Sequence, residues 1–347
     1  MKNNKTKKLN IFITGAGGFV GSAFIEFLKN KNNINIIGLE VNLEKYKYLK
    51  ESGIKVYYGS TTDKELLQRI FKENRIDHIY HTAAIVEEYG DKNLFYEVNV
   101  KATVELAKLG IQHNVKSFIH LSSVMVYGFQ YPFMVREEEA SKLKDNVLKT
   151  KNLYCITKVY GEEELLKLYE ENKKFNLVIL RPGDIIGIGS VPWIIRPIFL
   201  AKRNIFAYPD YGVGILNLLY IENLNQLIYN IIKRMPDNTI KGQIFNIRDE
   251  YITVKEFYSY LFKNLNIIKF GPISLNSFIM KNLLWILYGL QEFFRIKPWV
   301  HPEGIKFLLR NNPVDNQKSI QLLNYKTGIR FYEAMEKIIN YYKNQSS

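Results

Sequence analysis

The sequence predicts an α/β protein: a doubly wound, parallel sheet followed by a smaller, mostly helical C-terminal lobe. Three observations carry that prediction. Apolar runs alternate with helical stretches from Leu9 to Leu180, a glycine-rich turn links the first run to the first helix, and clusters of polar or small residues stand at the ends of five runs.

The elements follow in order. Leu9 to Ile13 reads as a strand and runs into Thr14-Gly15-Ala16-Gly17-Gly18-Phe19-Val20-Gly21. Val20, Ala23, Phe24, Phe27 and Leu28 then repeat at helical spacing. In a strand, turn, helix unit of this kind Gly15 permits the tight turn, Gly18 lets backbone approach a pyrophosphate, and Gly21 lets the helix pack close to the strand. The diphosphate rests on the helix N-terminus. The next run, Ile34 to Leu39, ends in Glu40, placed to hold the ribose hydroxyls of a dinucleotide. A carboxylate there would repel a 2'-phosphate, which favours NAD; Lys45 nearby leaves NADP open. Further strands are predicted at Lys55 to Tyr58, His78 to Thr82, Ser117 to Leu121 and Leu177 to Leu180, with helices over 62–73, 92–113 and 151–171. The charged stretch 128–150 reads as a long, mobile flap. Residues 1–180 are expected to form the dinucleotide-binding domain, with 215–250 returning to it, and 181–347 the substrate-binding lobe.

Doubly wound sheets bind ligands at the carboxyl ends of their strands. Those ends carry Gly15, Glu40, His81-Thr82-Ala83-Ala84, Ser122-Ser123 and Arg181-Pro182-Gly183. Tyr154 and Lys158 belong to the predicted helix that follows. Four residues apart, they stand on one helix face about 6 Å apart along the axis. Bringing a phenol from its usual pKa of about 10 to near 7 requires favouring the phenolate by roughly 4 kcal/mol. A unit charge at about 4 Å supplies that at an effective dielectric of ~20. Tyr154 is therefore the candidate general acid/base for carbonyl and hydroxyl chemistry, with Ser123 hydrogen-bonded to the same oxygen.

Composition limits the alternatives. The chain has 347 residues, 47% hydrophobic and 14% aromatic, enough for a large core and incompatible with overall disorder. Its net charge of +14 comes from lysines spread along the sequence. No Cys/His zinc spacing, aromatic-basic RNA motif or clustered basic helix accompanies that charge, so neither a metal site nor a nucleic-acid partner is expected. Cys155, the single cysteine, has no disulfide partner within the chain and suits a reducing cytoplasm. Lys2, Lys5, Lys7 and Lys8 precede an apolar stretch too short for a signal peptide, and read as a solvated tail.

Six segments, TGAGGFVG at 14–21, HTAA at 81–84, NVKAT at 99–103, LSSVMVYG at 121–128, YCITKVYGE at 154–162 and RPGDIIGIG at 181–189, together resemble the extended short-chain dehydrogenase/reductases. Within that superfamily the chain is similar to the NAD-dependent epimerase/dehydratase and 3β-hydroxysteroid dehydrogenase-like group. The resemblance implies a Rossmann domain binding NAD and catalysis by Ser123, Tyr154 and Lys158, with Lys158 holding the nicotinamide ribose. It implies cofactor contacts from Gly15, Gly17, Gly18, Phe19, Val20, Gly21, Glu40, Ser60, Thr61, Thr82, Ala83, Ala84, Asn99, Ser122, Tyr154, Lys158, Pro182 and Gly183. Asn99 would support local geometry, and the backbone at Pro182 and Gly183 would line the nicotinamide. One departure is Gly59-Ser60, where the group usually has Gly-Asp against adenine.

Two further departures bear on substrate. Asp184 stands where nucleotide-sugar enzymes carry an asparagine, and Leu216 where they carry an arginine serving the diphosphate. An aspartate repels a pyrophosphate and a leucine offers it no donor. The expectation is therefore an NAD-dependent oxidoreductase interconverting a secondary alcohol and a ketone on an apolar, sterol-like or lipid-derived substrate. The alternatives are a nucleotide-sugar epimerase or dehydratase, and a non-catalytic dinucleotide-binding regulator. Residues 274–297 concentrate Phe278, Ile279, Leu283, Leu284, Trp285, Ile286, Leu287, Leu290, Phe293 and Phe294, followed by Arg295 and Lys297. This segment reads first as a buried helix of the substrate lobe, and otherwise as the wall of an apolar pocket or a peripheral contact with the inner membrane face. Homodimerisation through 92–113 and 151–171 is expected by analogy alone.

Overall fold

The computed structural model describes residues 8–267, 272–295 and 302–345. Lys2, Lys5, Lys7 and Lys297 lie outside the described residues. Strands run in the order β1 Leu9–Thr14, β2 Ile34–Glu40, β3 Lys55–Tyr58, β4 His78–His81, β5 Ser117–Leu121, β6 Leu177–Pro182, β7 Asp184–Ile186, β8 Ala207–Pro209, β9 Ile215–Tyr220, β10 Gln243–Ile247, β11 Glu250–Thr253 and β12 Ile273–Leu275. Seven of them form one parallel sheet in the order β10-β6-β5-β4-β1-β2-β3. The order reverses between β1 and β4, which opens a crevice at their carboxyl ends. Thr14 ends both ladders there, opposite Leu39 on one side and His81 on the other.

The sheet is covered on both faces, which is why its central strands read as nearly unbroken apolar runs. Successive side chains of β1 go to opposite layers. Ile11 and Ile13 pack with Phe24, Leu28, Ile228 and Ile231, whereas Phe12 packs with Leu67, Ile70, Leu106 and Leu165. On the first face the Phe19–Lys29 and Ile221–Arg234 helices lie together, joined by a Phe27–Tyr229 ring contact at 5.8 Å and by Asn225 Nδ2 donating to the Ala23 carbonyl. The stretch 215–250 is divided: β10 pairs with β6 in the main sheet, while β9 pairs with β7 and β11 in a separate three-stranded sheet. A two-stranded sheet, β8 with β12, lies in the C-terminal half.

Two expectations change. The stretch 128–150 is no open flap, since Ala140–Lys149 is a helix preceded by a short turn at Glu137–Glu139. Ala140, Leu143 and Val147 share one of its faces and pack against Cys155 and Val159. Its charges had masked that spacing, although the acidic residues just before its start, Glu137 to Glu139, and Lys149 at its end also suit a helix dipole. The apolar segment near the C-terminus forms the Ser277–Phe293 helix, but it is not buried: none of its residues falls in the core. Lys281 lies 3.7 Å from Glu303 on the side that faces the protein, where Met280, Leu284 and Tyr288 are half-buried, and the other large apolar positions point outward.

Candidate active site

The glycine turn is built to take an anion. Gly15 has φ +67°, and a Cβ at Gly21 would lie 2.3 Å from the Gly15 carbonyl oxygen, so the first helical turn can sit this close to the strand only without side chains. The Phe19–Lys29 helix starts at Gly18 with no side-chain cap and no acidic residue in its first turn, where Phe19, Val20 and Gly21 lie. Its leading N–H groups therefore face the crevice with the positive end of the helix dipole. This fits the diphosphate of a dinucleotide. Glu40 is buried, and its carboxylate accepts from Gly17 N (2.7 Å) and Asn42 N (2.8 Å). It thus braces the turn, and its remaining lone pairs are free for ribose hydroxyls. Ser60 accepts from Thr62, backbone (3.2 Å) and hydroxyl (2.9 Å), while Thr61 beside it is buried.

The end of β4 is tied to that of β1. Thr82 Oγ1 donates to the Thr14 carbonyl (2.8 Å), and Ala83 N donates to Thr14 Oγ1 (3.3 Å). His81 bridges Thr14 Oγ1 and Thr103 Oγ1, each at 2.8 Å, and burial pushes its pKa down to about 3, helped by the Lys158 charge. It is a neutral structural brace. Asn99 lies in a five-residue π-helical stretch, Glu97–Lys101. Its side chain accepts from Ile85 N (2.8 Å) and donates to Ile85 O (3.0 Å) and Thr157 Oγ1 (2.9 Å), which clamps the loop beyond Ala84 to the Leu153–Glu171 helix.

That helix carries the proton-transfer candidates. It starts at Asn152, whose side chain accepts from Cys155 N (3.0 Å). The Ser123 hydroxyl is near enough to the Tyr154 phenol to favour its ionised form, and it accepts from Met125 N at 3.2 Å. Lys158 is buried, with Nζ donating to the Leu121 carbonyl at 2.7 Å and lying 5.7 Å from the Tyr154 ring centre. The ammonium is thus near the phenol without bonding to it. The expected acidic phenol is not found: burial pushes Tyr154 up to about 12, with Cys155 and Asp184 adding to the rise and only Ser123 opposing it. Burial likewise pushes Lys158 down to about 8, against the pull of Glu162. Cys155 is fully buried and its thiol is raised well above its usual range, which leaves it inert.

Sequence reasoning missed a buried network next to this trio. The hydroxyl of Ser122, an expected cofactor contact, donates to Glu162 Oε1 at 2.5 Å. Arg181 Nε and Nη2 grip Glu162 at 2.9 and 2.5 Å, while Nη1 donates to the Tyr127 hydroxyl (2.8 Å) and the Glu137 carbonyl (3.0 Å). Tyr127 in turn donates to Asn246 Oδ1 at 2.7 Å. The carboxyl ends of β5, β6 and β10 are thereby cross-linked beneath the site. Glu162 had a readable signal, since it lies four residues after Lys158 on the same helix face. Pro182 ends β6 there, and Gly183, which follows it, donates its N–H to the Ile247 carbonyl at 2.9 Å.

Asp184 also differs from expectation. Its carboxylate accepts from Arg310 Nη2 (2.5 Å) and from Asn217 N (2.8 Å), and Arg310 is fully buried. Burial raises the acid, whereas Arg310 pulls it down. The negative charge read from the sequence is therefore cancelled by a guanidinium 126 residues later. Leu216 is a core residue of β9.

The sequence pattern of the NAD dependent epimerase/dehydratase family matches residues 11–247. The chain belongs to this family. NAD is the family's cofactor, and the crevice between β1 and β4 suits it. Over 265 residues the chain is 29% identical to a dTDP-D-glucose 4,6-dehydratase of Dictyostelium discoideum, covering 70% of this chain and 58% of that protein. Over 187 residues it is 31% identical to a UDP-glucose 4-epimerase of Neisseria meningitidis, covering 51% and 53%. The match thus spans little more than half the length of these two relatives. The YbjS protein of Escherichia coli is 24% identical over 95% of this chain and 96% of its own. The fold is shared with a Thermotoga maritima UDP-glucose 4-epimerase solved with UDP-glucose, at TM-score 0.73 and 18% identity over 98% of this chain and 100% of that one. It is shared as well with a Bacillus cereus UDP-glucuronic acid 4-epimerase solved with UDP-glucuronic acid and NAD, at TM-score 0.72 and 19% identity over 97% and 100%.

Proposed function

We propose that this family member acts as an NAD-dependent epimerase or dehydratase on a nucleotide-linked sugar. The observation that carries this reading is the buried Asp184–Arg310 pair. A bare aspartate beside the substrate would repel a diphosphate, and a paired one does not. Likeness to dTDP-sugar and UDP-sugar enzymes supports it.

NAD, when bound, supplies the hydride acceptor and a positive ring charge beside the phenol. Gly15, Gly17, Gly18 and the first turn at Phe19, Val20 and Gly21 would seat its diphosphate, and Glu40 its ribose. The backbone at Ala83, Ala84, Pro182 and Gly183 would line the crevice, with Ser60 and Thr61 at the adenine end. Tyr154 Oη would take the proton of the sugar hydroxyl and later return it. Ser123 would hold the same oxygen, and Lys158 would fix the nicotinamide ribose. Asn99 holds the helix in register for all three.

A second reading, alcohol–ketone interconversion on an apolar lipid-derived molecule, is favoured by the exposed apolar Ser277–Phe293 helix. Purified enzyme with NAD, offered UDP-glucose, UDP-galactose, dTDP-glucose and a set of hydroxysteroids, separates the two. The first predicts a new sugar by NMR with flat 340 nm absorbance. Steady NADH formation on a hydroxysteroid, with no sugar converted, supports the second and overturns the first. Homodimerisation through the Ala102–Gln112 and Leu153–Glu171 helices is a further proposal, checked by sedimentation velocity.

A further inference from the structure

The Ser277–Phe293 helix is amphipathic in the wrong sense for a soluble surface. At 3.6 residues per turn, Ile279, Leu283, Ile286, Leu287, Leu290, Phe293 and the adjoining Phe294 fall within an arc of about 120°. Their exposures run from 47% for Leu283 to 80% for Phe293. Lys281 and Glu292, its two charged residues, stand on the opposite side, where Lys281 meets Glu303. A continuous apolar stripe of this kind on a soluble surface marks an interaction site.

We infer that this helix seats the protein on an anionic phospholipid surface, lying flat with its apolar stripe in the headgroup–acyl boundary. Seventeen residues make a rod of about 26 Å, suited to in-plane binding. Among the described residues no helix is long and apolar enough to cross a membrane. Charge selects the occupant. The stretches 191–214 and 254–308, which include this helix and the β8–β12 sheet that leads into it, hold ten Lys and Arg against four Asp and Glu. A second copy would bring two bodies of net charge +14 together, whereas an anionic surface attracts them.

The helix is also coupled to the active site. It packs on the Pro302–Leu308 turn, whose Phe307 joins the cluster containing Tyr154 and meets Phe129 edge-on at 5.2 Å. The membrane surface then lies one packed layer from the phenol. This inference stands whichever substrate the enzyme takes.

Flotation of the full chain with vesicles of phosphatidylcholine alone, or with about one-third phosphatidylglycerol, tests it. The expected result is co-flotation with the anionic vesicles only, weakened by salt. The triple variant Leu283→Glu, Ile286→Glu, Leu290→Glu should lose at least about tenfold in vesicle affinity with its circular dichroism melt unchanged. Phe293→Ser with Phe294→Ser provides a milder second variant should the triple one misfold. Equal binding to neutral vesicles, unchanged binding by the variants, or no binding at all would each overturn the proposal. So would a wild-type dimer that the variants convert to monomer, which would assign the stripe to a second copy.

Discussion

The Leu153–Glu171 and Ser277–Phe293 helices both break the usual rule that apolar residues face in and charges face out, in opposite directions. The first buries Lys158 and Glu162; the second exposes nearly every large apolar residue it has. In the first, the chain itself answers the inversion: Leu121 O receives the ammonium, and Ser122 and Arg181 receive the carboxylate. In the second, none of the described residues of the core covers the stripe. Buried charge with internal partners marks a site that holds a reacting group in place, and exposed apolar surface marks one that meets something outside. The two helices thus divide chemistry from attachment.

Breaking the internal pairing should have the largest effect on stability. Arg181→Met leaves Glu162 buried and charged, and should lower unfolding free energy by about 3–5 kcal/mol in urea titrations. Adding Glu162→Met should recover most of that loss. A double variant no better than the single one would mean that Tyr127 and Glu137, not the ion pair, carry the effect.

Next comes the depressed Lys158. Its folded pKa of about 8 is below its unfolded one near 10.5, so the unfolded state holds more protons between those values. The burial cost is therefore full below pH 8 and is relieved as pH rises towards 10.5. The stability of wild type relative to Lys158→Met should rise by up to about 3 kcal/mol across that window. A flat difference would show that the ammonium is not buried at a cost. The smallest effect belongs to the other helix: Ile286→Glu should change stability by no more than about 0.5 kcal/mol, because that side chain already faces water. A large loss would place the stripe inside the folded protein and remove the contrast between the helices.

The sequence showed these regions unequally. Strands β1 to β6, the glycine turn and the Tyr154–Lys158 spacing rest on contacts between near neighbours in sequence, or on periodicity, and were legible. The pairings that close the site were not: Arg310 reaches Asp184 from 126 residues away and Asn246 meets Glu137 across 109, and nothing local announces either. The Ala140–Lys149 helix hid behind its own charges. Composition identified the Ser277–Phe293 helix, but which side faces the protein depends on its packing against the Pro302–Leu308 turn, outside it.

The measurement that tests the account most directly compares Tyr154→Phe with wild type for NAD binding and turnover of the sugar substrate. The substitution keeps the ring and removes the hydroxyl that lies near Ser123. NAD affinity should be unchanged while turnover falls by about 10²- to 10⁴-fold. A Tyr154→Phe enzyme that turns over like wild type would mean the proton moves through another group.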